Sequence, residues 1–235
     1  MKIAACMIAL DEEKFIRRVL ESLHWVDTIV IVDGGSKDNT MGIVRSMAPS
    51  LSYVELPRQW KDDFSRQRQF ANDYIAHYAD EFDWWFRVDC DEQLPDTWTL
   101  LPTILQQLPD QIICARIRQN NLIRDEKTYS ARRGGWETHP RIFRNLQLPN
   151  GSSAWRWQGQ VHEYPNLMDE NGLNYPNLSQ ISQINLAVTH FGWLDNERRQ
   201  EREDLYLQIE GSNFSPGELV NRKHKPKRLP YEVTE

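Results

Sequence analysis

The stretch Trp84-Trp85-Phe86-Arg87-Val88-Asp89-Cys90-Asp91-Glu92-Gln93-Leu94-Pro95 decides how the chain is read. Its aromatic and apolar opening, closed by a proline-containing turn, reads as a short buried strand that stops where the carboxylates begin. In extended backbone, residues i and i+2 project to the same side. Asp89 and Asp91 are therefore expected to face one direction at the lip of a sheet, with Cys90 turned away. Two like charges held close repel, and burying them without a counter-charge is costly. A hard divalent cation, Mg2+ or Mn2+, relieves that repulsion through carboxylate oxygen. A solvated acidic turn would carry the same letters, so the neighbouring segments have to decide.

Working outward, the first half alternates two periodicities. Residues 2–9 read as a strand buried on both faces. From Glu12 to Leu23 the apolar positions Phe15, Ile16, Val19, Leu20 and Leu23 recur at helical spacing, with acids in the first turn. Thr28-Ile29-Val30-Ile31-Val32 is β-branched throughout and reads as a second strand, ending in Asp33-Gly34-Gly35-Ser36. Asp38-Asn39-Thr40 offers capping residues to a helix carrying Met41, Ile43, Val44 and Met47. Leu51–Leu56 reads as a third strand. Residues Ser65–Ala79 read as a helix with Phe70, Ala71, Tyr74, Ile75 and Tyr78 on one face. Alternation of this kind implies a mostly parallel, Rossmann-like sheet flanked by helices, an α/β fold. Ligands of such sheets sit beyond the carboxyl ends of the strands. Leu10-Asp11-Glu12, Asp33-Gly34-Gly35-Ser36 and Asp89-Cys90-Asp91 all lie at those ends and are expected to converge on one crevice.

Composition narrows the classes. A chain of 235 residues can bury a core, and its net charge of −6 argues against a duplex nucleic-acid binder. No apolar run is long enough to cross a bilayer, and Asp11-Glu12-Glu13 interrupts the opening run too early for a signal peptide. Cys6, Cys90 and Cys114 form an odd set without metal-ligand spacing, which fits a reduced, cytoplasmic chain. Nine tryptophans are many; aromatic platforms for a sugar and ordinary packing both use them. The crevice lacks the glycine and lysine spacing of a P-loop and the Gly-x-Gly-x-x-Gly of a dinucleotide site. Asp33 before two glycines suits either acceptance from a base N–H or ribose hydroxyl, or a simple turn cap.

Taken together, the segments resemble the family 2 glycosyltransferases of the A-type, nucleotide-sugar-binding fold. Met7-Ile8-Ala9-Leu10-Asp11-Glu12-Glu13 is similar to that family's opening strand and Asn-Glu-Glu turn. Val32-Asp33-Gly34-Gly35-Ser36-Lys37-Asp38-Asn39-Thr40 is similar to its Val-Asp-x-Gly-Ser-x-Asp-x-Thr segment. Asp62-Asp63-Phe64-Ser65-Arg66-Gln67-Arg68-Gln69-Phe70-Ala71 resembles the Asp-Asp-Phe-Ser-x-x-Arg-Asn-x-Ala helix of the branch containing lipopolysaccharide-core sugar transferases. Asp89-Cys90-Asp91 falls at the metal-binding Asp-x-Asp. Two positions depart: Asp11 replaces the usual Asn, and Gly34 replaces a second Asp that contacts uracil in many members. The resemblance implies that Ala9, Leu10, Glu12, Asp33, Gly34, Arg68 and Asp89 line the nucleotide. It also implies that Asp89 and Asp91 hold Mn2+ or Mg2+.

Beyond Thr97 the pattern loosens. Leu100–Leu108 reads as a helix, Ile112–Ile117 as a strand, and an Arg-, Trp- and Gly-rich region follows from Arg132-Arg133-Gly134-Gly135-Trp136 to Asn145. Gly159-Gln160-Val161-His162-Glu163 resembles the family branch's Gly-x-Val-His-Glu segment. The resemblance puts the acceptor side at His162 and Glu163, with Glu163 as the better general base. A sugar hydroxyl is a poor nucleophile until its proton is accepted. Val188-Thr189-His190-Phe191-Gly192-Trp193 is similar to a late His-x-Gly-aromatic segment, in which His190 either completes a metal shell or serves structure. Asp195–Glu210 reads as a charged helix docking through Leu205, Tyr206 and Ile209, and the basic run Arg222–Arg228 as a solvated tail.

The expectation is one A-type transferase domain over residues 1–235. Residues 1–97 would bind the nucleotide sugar, 98–210 the acceptor side in a small mixed subregion, and 211–235 would form a polar tail. Its activity would be metal-dependent, inverting transfer of a hexose from a UDP-sugar, such as UDP-glucose, to a hydroxyl-bearing glycan, lipid-linked glycan or small molecule. A nucleotidyltransferase would carry a basic, glycine-rich loop where this chain has the acidic Leu10-Asp11-Glu12-Glu13. The alternative is a non-catalytic nucleotide-sugar or glycan-binding module of the same fold.

Overall fold

The β-branched run at Thr28–Val32 lies at the heart of the sheet, with Ile29, Val30, Ile31 and Val32 all buried. In a computed structural model, which describes residues 1–47, 50–78, 80–122, 125–131, 138–170, 172–192, 194–210 and 225–228, this run is β2 (Thr28–Asp33). It pairs in parallel with β1 (Ile3–Ala9) on one side and β3 (Tyr53–Pro57) on the other. β4 (Trp84–Arg87) lies parallel to β1 on its far side. The registers Ala9 to Asp33 and Asp33 to Pro57 bring the carboxyl ends level. All the polar clusters read from the sequence therefore leave one edge of the sheet.

The sheet then continues with reversals. β8 (Thr138–Arg144) is antiparallel to β4 and to β6 (Cys114–Asn121). β12 (Ile181–His190) runs parallel to β6, and the two-residue β5 (Glu92–Gln93) closes the far edge antiparallel to β12. The eight-stranded order is β3-β2-β1-β4-β8-β6-β12-β5. Residues 88–91 thus carry the chain from the end of β4 to the opposite edge, and pairing of Glu92 with His190 sets Asp91 beside that histidine. Three antiparallel strands, β9 (Trp155–Gln158), β10 (Tyr164–Asp169) and β11 (Gly172–Asn174), form a second sheet.

Helices cover both faces, and three expectations need correction. The helix expected from Glu12 is only α1 (Ile16–Glu21). Asp11 has φ 53°, and the Glu12 carbonyl accepts from both Phe15 and Ile16 N–H. The Glu12 N–H itself donates to Thr40 Oγ1 at 2.6 Å. The first turn is thereby committed to a loop that zips onto residues 36–40, just before α2 (Thr40–Ser46). In α3 (Phe64–His77) the buried stripe is Ser65, Gln67, Arg68, Ala71, Asn72, Ile75 and Ala76. Phe70 and Tyr78 are exposed instead, and Phe70 is covered by the Arg58 guanidinium at 4.7 Å. Polar side chains replace the expected aromatics because this face looks into the site. The third correction is at the chain's basic end. Lys225–Arg228 forms β13, antiparallel to β7 (Thr128–Ala131), rather than a solvated tail. The Arg132–Trp136 run, Ala79, Trp193 and the rest of the segment beyond Glu210 lie outside the described residues.

α4 (Leu101–Gln106) follows a 3-10 turn, Asp96–Leu100, that buries Trp98 completely. Trp98 lies 5.2 Å from the Phe86 ring, and Trp25 stacks on Phe86 at 5.6 Å. On the other face Phe143 stacks on Trp85 at 4.3 Å and meets Trp155 edge-on at 4.9 Å. These tryptophans are packing elements, not sugar platforms. All three cysteines are buried and none forms a disulfide; burial pushes the Cys6 and Cys114 thiols up to about 12. No helix among the described residues is long and apolar enough to cross a membrane.

Trp98 also donates its indole N–H to the Ala187 carbonyl at 2.8 Å, so it ties the 3-10 turn to β12. Trp98→Ala should cost about 3–5 kcal/mol from lost packing and the cavity left behind. That lowers the melting midpoint by about 10 °C, readable by thermal denaturation.

Candidate active site

The site is built at the carboxyl ends of β1, β2 and β4. Asp33 Oδ1 accepts from the Ser36 N–H and hydroxyl at 3.1 and 2.7 Å, so one oxygen holds the turn. Asp11 Oδ1 accepts from the Lys37 N–H at 2.7 Å, and Glu13 Oε2 from the Asn39 N–H at 2.8 Å. Either Asn or Asp supplies that oxygen, which accounts for Asp11. Gly34 donates its N–H to the Ala9 carbonyl at 2.8 Å. A side chain there would meet Ala9 O, Leu10 Cδ1 and Trp60 Cβ, each at 3.3 Å. Ala9, Leu10, Asp33 and Gly34 are brought together, while Glu12 is tied by its N–H to Thr40.

Arg68 is the centre of the cluster. Its Nη2 donates to Asp89 Oδ1 at 2.7 Å and its Nε to Glu163 Oε1 at 2.5 Å. Its side chain is 5% exposed. Arg87 Nη1 reaches the same Glu163 oxygen at 3.2 Å. Arg141, from β8, donates to Asp89 Oδ2 at 3.2 Å and grips both oxygens of Glu92, at 3.2 and 2.7 Å. Three guanidiniums thus face three carboxylates in a largely dry pocket, where each charge needs its partner. Trp157 closes the floor, with the Arg68 and Arg87 guanidinium carbons 5.6 and 5.5 Å from its ring.

The charges shape one another. Burial opposes ionisation of Asp89, but Arg68, Arg141 and Arg87 override it and hold its carboxyl well below the usual range. Burial likewise opposes ionisation of Glu163, yet Arg68 and Arg87 keep it below its ordinary value. Glu92 goes the other way, pushed up by burial and by Asp89 against the pull of Arg141. Arg87 is lowered to about 10 by burial and by the two other arginines. His139, on β8, is lowered to about 3 by burial and by Arg141, Arg87 and Arg116. It stays neutral throughout the physiological range.

Glu163 is placed by a strained loop. Gly159 has φ 90° and His162 φ 54°, backbone conformations that suit glycine and concentrate at functional sites. The loop is anchored on the N-terminus of α3, whose first N–H groups lack helical partners. Phe64 N–H donates to the Gln160 carbonyl at 2.9 Å, and the Ser65 hydroxyl to the Gly159 carbonyl. Asp63 caps the same helix through the Arg66 N–H at 3.0 Å. His162 turns its ring edge-on to Tyr206 of α5 (Asn196–Glu210), 5.1 Å away. Tyr206 packs in turn on Phe64.

Asp91 faces His190. Its Oδ2 is 3.3 Å from His190 Nε2, both residues being buried. The other ring nitrogen, His190 Nδ1, is buried without a hydrogen-bond partner. A side chain at Gly192 would strike Asp91 Oδ2 at 2.4 Å and His190 Nε2 at 3.1 Å. Glycine therefore lets the Asp91 carboxylate pack against the backbone beside the imidazole, and carboxylate oxygen with imidazole is a donor pair that suits Mn2+ and tolerates Mg2+. Among the described residues no group of three or more His, Cys, Asp or Glu side chains converges on one ion position.

The sequence pointed to Arg68, Asp89, Asp91, Glu163 and His190 but not to Arg87, Arg141, Glu92 or Trp157. Arg87 and Glu92 flank the aspartates in the stretch that opened the reading, and a charge count there would have drawn attention to them. Nothing in the letters around Arg141 signals that it bridges two strands' worth of acids.

Breaking the central pairing has a signed pH dependence. Asp89 and Glu163 have depressed values in the folded state, so their stabilisation is present above the unfolded range and is lost as pH falls through the folded values. Arg68→Met should cost about 3 kcal/mol near pH 7 by leaving Asp89 to Arg141 alone and Glu163 to Arg87 alone. The cost should shrink on acidification as the two carboxylates protonate, which urea titrations of both chains at pH 7 and pH 3 would measure.

A sequence model described as "Glycosyl transferase family 2" matches residues 4–159. A lipopolysaccharide core biosynthesis glycosyltransferase, LpsC, of Rhizobium meliloti is 28% identical over 165 residues, which is 69% of this chain and 56% of that one. The chain spans about half the length of the curated relatives it matches. S. aureus TarS 1-349, crystallised in complex with UDP-GlcNAc, has a TM-score of 0.54 at 14% identity, over 93% of this chain and 69% of that chain. The mannosyltransferase PcManGT of Pyrobaculum calidifontis, in complex with GDP-Man and Mn2+, has a TM-score of 0.53 at 12% identity, over 92% and 66%. The sheet is the one those transferases are built on, and with the family match covering more than half of its length, this chain belongs to glycosyl transferase family 2.

Proposed function

We propose that this chain transfers a hexose from a UDP-sugar to a hydroxyl acceptor, with inversion at the anomeric carbon. One observation carries the reading: Arg68 joins the carboxylate of the Asp-x-Asp to Glu163 within a single hydrogen-bonded cluster. Donor-side and acceptor-side groups that are remote in sequence are thus within reach of one reacting centre. The UDP donor is argued from the resemblance of the rim segments and from the UDP-GlcNAc bound by TarS.

Ala9, Leu10, Glu12, Asp33 and Gly34 would receive the nucleoside, and Arg68 would approach the diphosphate from the buried side. Asp91 and His190, with Asp89 nearby, would hold Mn2+ or Mg2+, which would neutralise charge developing on the UDP leaving group. Two close ligands among the described residues suit a cation that takes its remaining oxygens from substrate phosphates. Glu163, ionised at neutral pH, would accept the acceptor's hydroxyl proton. The hydroxyl oxygen then bonds to the anomeric carbon as the bond from that carbon to the UDP oxygen breaks, and the electron pair leaves with UDP. His162 would border the acceptor beside Tyr206. Arg87 and Arg141 position Glu163 and Asp89.

The test is UDP release from a panel of UDP-sugars with Mn2+, Mg2+ or EDTA. Turnover of one donor that EDTA abolishes, and that Asp91→Asn lowers at least about 100-fold, is the expected result. Absence of turnover and of metal-dependent UDP binding would instead leave a sugar- or nucleotide-binding module. Gly192→Ala should weaken Mn2+ binding at least about tenfold and lower the melting midpoint by a few degrees, because its methyl overlaps the Asp91 carboxylate and forces it to shift beside His190. Titration calorimetry with Mn2+ alone reads that loss.

A further inference from the structure

We infer that Arg18 is a positioning residue for the cation: its guanidinium pins the Phe191 ring and so fixes the His190–Gly192 segment against Asp91. The inference rests on the transferase reading above, in which Asp91 and His190 hold the metal, and adds to it a side chain from α1 that touches neither.

Phe191 is where the two metal-side residues meet through the backbone. It follows His190 directly at the end of β12, and its N–H donates to the Asp91 carbonyl at 2.8 Å. Gly192 comes next, so close to the Asp91 carboxylate that a side chain there would strike it. A rotation of Phe191 would therefore carry His190 and Gly192 with it, and would loosen the tie to Asp91. What holds the Phe191 ring also holds the metal ligands.

Packing alone does not hold it. The ring lines a cavity of about 380 Å3, together with Phe15, Arg18 and Leu194. A ring that borders a cavity has close contacts on fewer sides and room to swing. Arg18 supplies the missing direction, with its guanidinium carbon 4.2 Å from the ring centre, well inside cation–π range. Glu126 steers that guanidinium, its Oε1 lying 3.4 Å from Arg18 Nη2. The mount is rigid, since Ile16, Val19 and Leu20 on the same helix are buried in the core. A second grip lies one turn earlier, where Lys14 reaches Asp195 Oδ2 at 2.5 Å. The two grips differ in weight. The Lys14 side chain is 68% exposed and that of Arg18 26%. An ion pair in solvent contributes little, whereas a partly desolvated cation over a ring contributes more. Arg18 is the grip that matters.

The test is Mn2+ affinity of the full chain by titration calorimetry, with and without UDP. Arg18→Met keeps the stem and removes the charge, and should weaken Mn2+ about three- to tenfold. Arg18→Lys, which keeps a cation over the ring, should restore affinity to within about twofold of wild type. Lys14→Met should also stay within about twofold. A readout without metal accompanies these: hydrogen exchange at the Phe191 amide should quicken about three- to tenfold in Arg18→Met and not in Lys14→Met. Should Arg18→Met not fold, Phe191→Leu, which removes the ring face, carries the same expectation. Unchanged Mn2+ affinity in Arg18→Met would overturn the inference, even with a lowered melting midpoint, because the contact would then be structural only. Failure of Arg18→Lys to restore affinity would overturn it too, as would an equal loss in Lys14→Met. A wild-type chain that binds no Mn2+, with or without UDP, would instead overturn the metal reading from which it starts.

Discussion

Everything in the site depends on one buried guanidinium. Arg68 comes from α3 and meets Asp89 from the end of β4 and Glu163 from the loop before β10. Burying it alone would be prohibitive, and burying either carboxylate alone nearly so. The three can be dry only together, so helix, strand end and loop are locked into a common position. Arg87 adds a second cation on Glu163, and Arg141 extends the same logic to Glu92, the first residue of β5. Charge neutrality in a dry space does the aligning that a hydrophobic core cannot, because apolar contacts carry no direction.

How legible this was in the letters depends on range. The parallel half of the sheet was readable because its strands are short, apolar runs with turn residues at each end. The Asp33 turn and the Asp89 segment were readable for the same reason. The reversal after β4 was not, since antiparallel β8 and β6 are chosen by pairings that no local pattern encodes. The stripe on α3 was misjudged by one step. Phe70 and Tyr78 looked like core, but Arg68, Gln67 and Asn72 are what the helix buries. Hydrophobic periodicity assumes an apolar neighbour, and this helix faces a polar one. Arg141 was invisible as a site residue because its two partners lie on other segments.

The loop from Gly159 to Glu163 shows how local strain is put to use. Left-handed backbone at Gly159 and His162 costs free energy, and the loop keeps it because α3's unpaired N–H groups take up the Gln160 carbonyl. The helix that supplies Arg68 thereby also fixes the loop that supplies Glu163. Arg68 and Glu163 share a mounting, so a shift of α3 moves both.

The two-residue strand β5 has a consequence for how the molecule comes into being. It is laid against the last residues of β12, with Gln93 opposite Thr189 and Glu92 opposite His190. During synthesis the Asp-x-Asp leaves the ribosome long before its partner strand does. Until then the acidic turn has no edge to pair with and Asp91 has no histidine. Non-local pairings of this kind form late. The nascent first half therefore waits with an unfinished lip until the strand ending at His190 emerges and closes the edge.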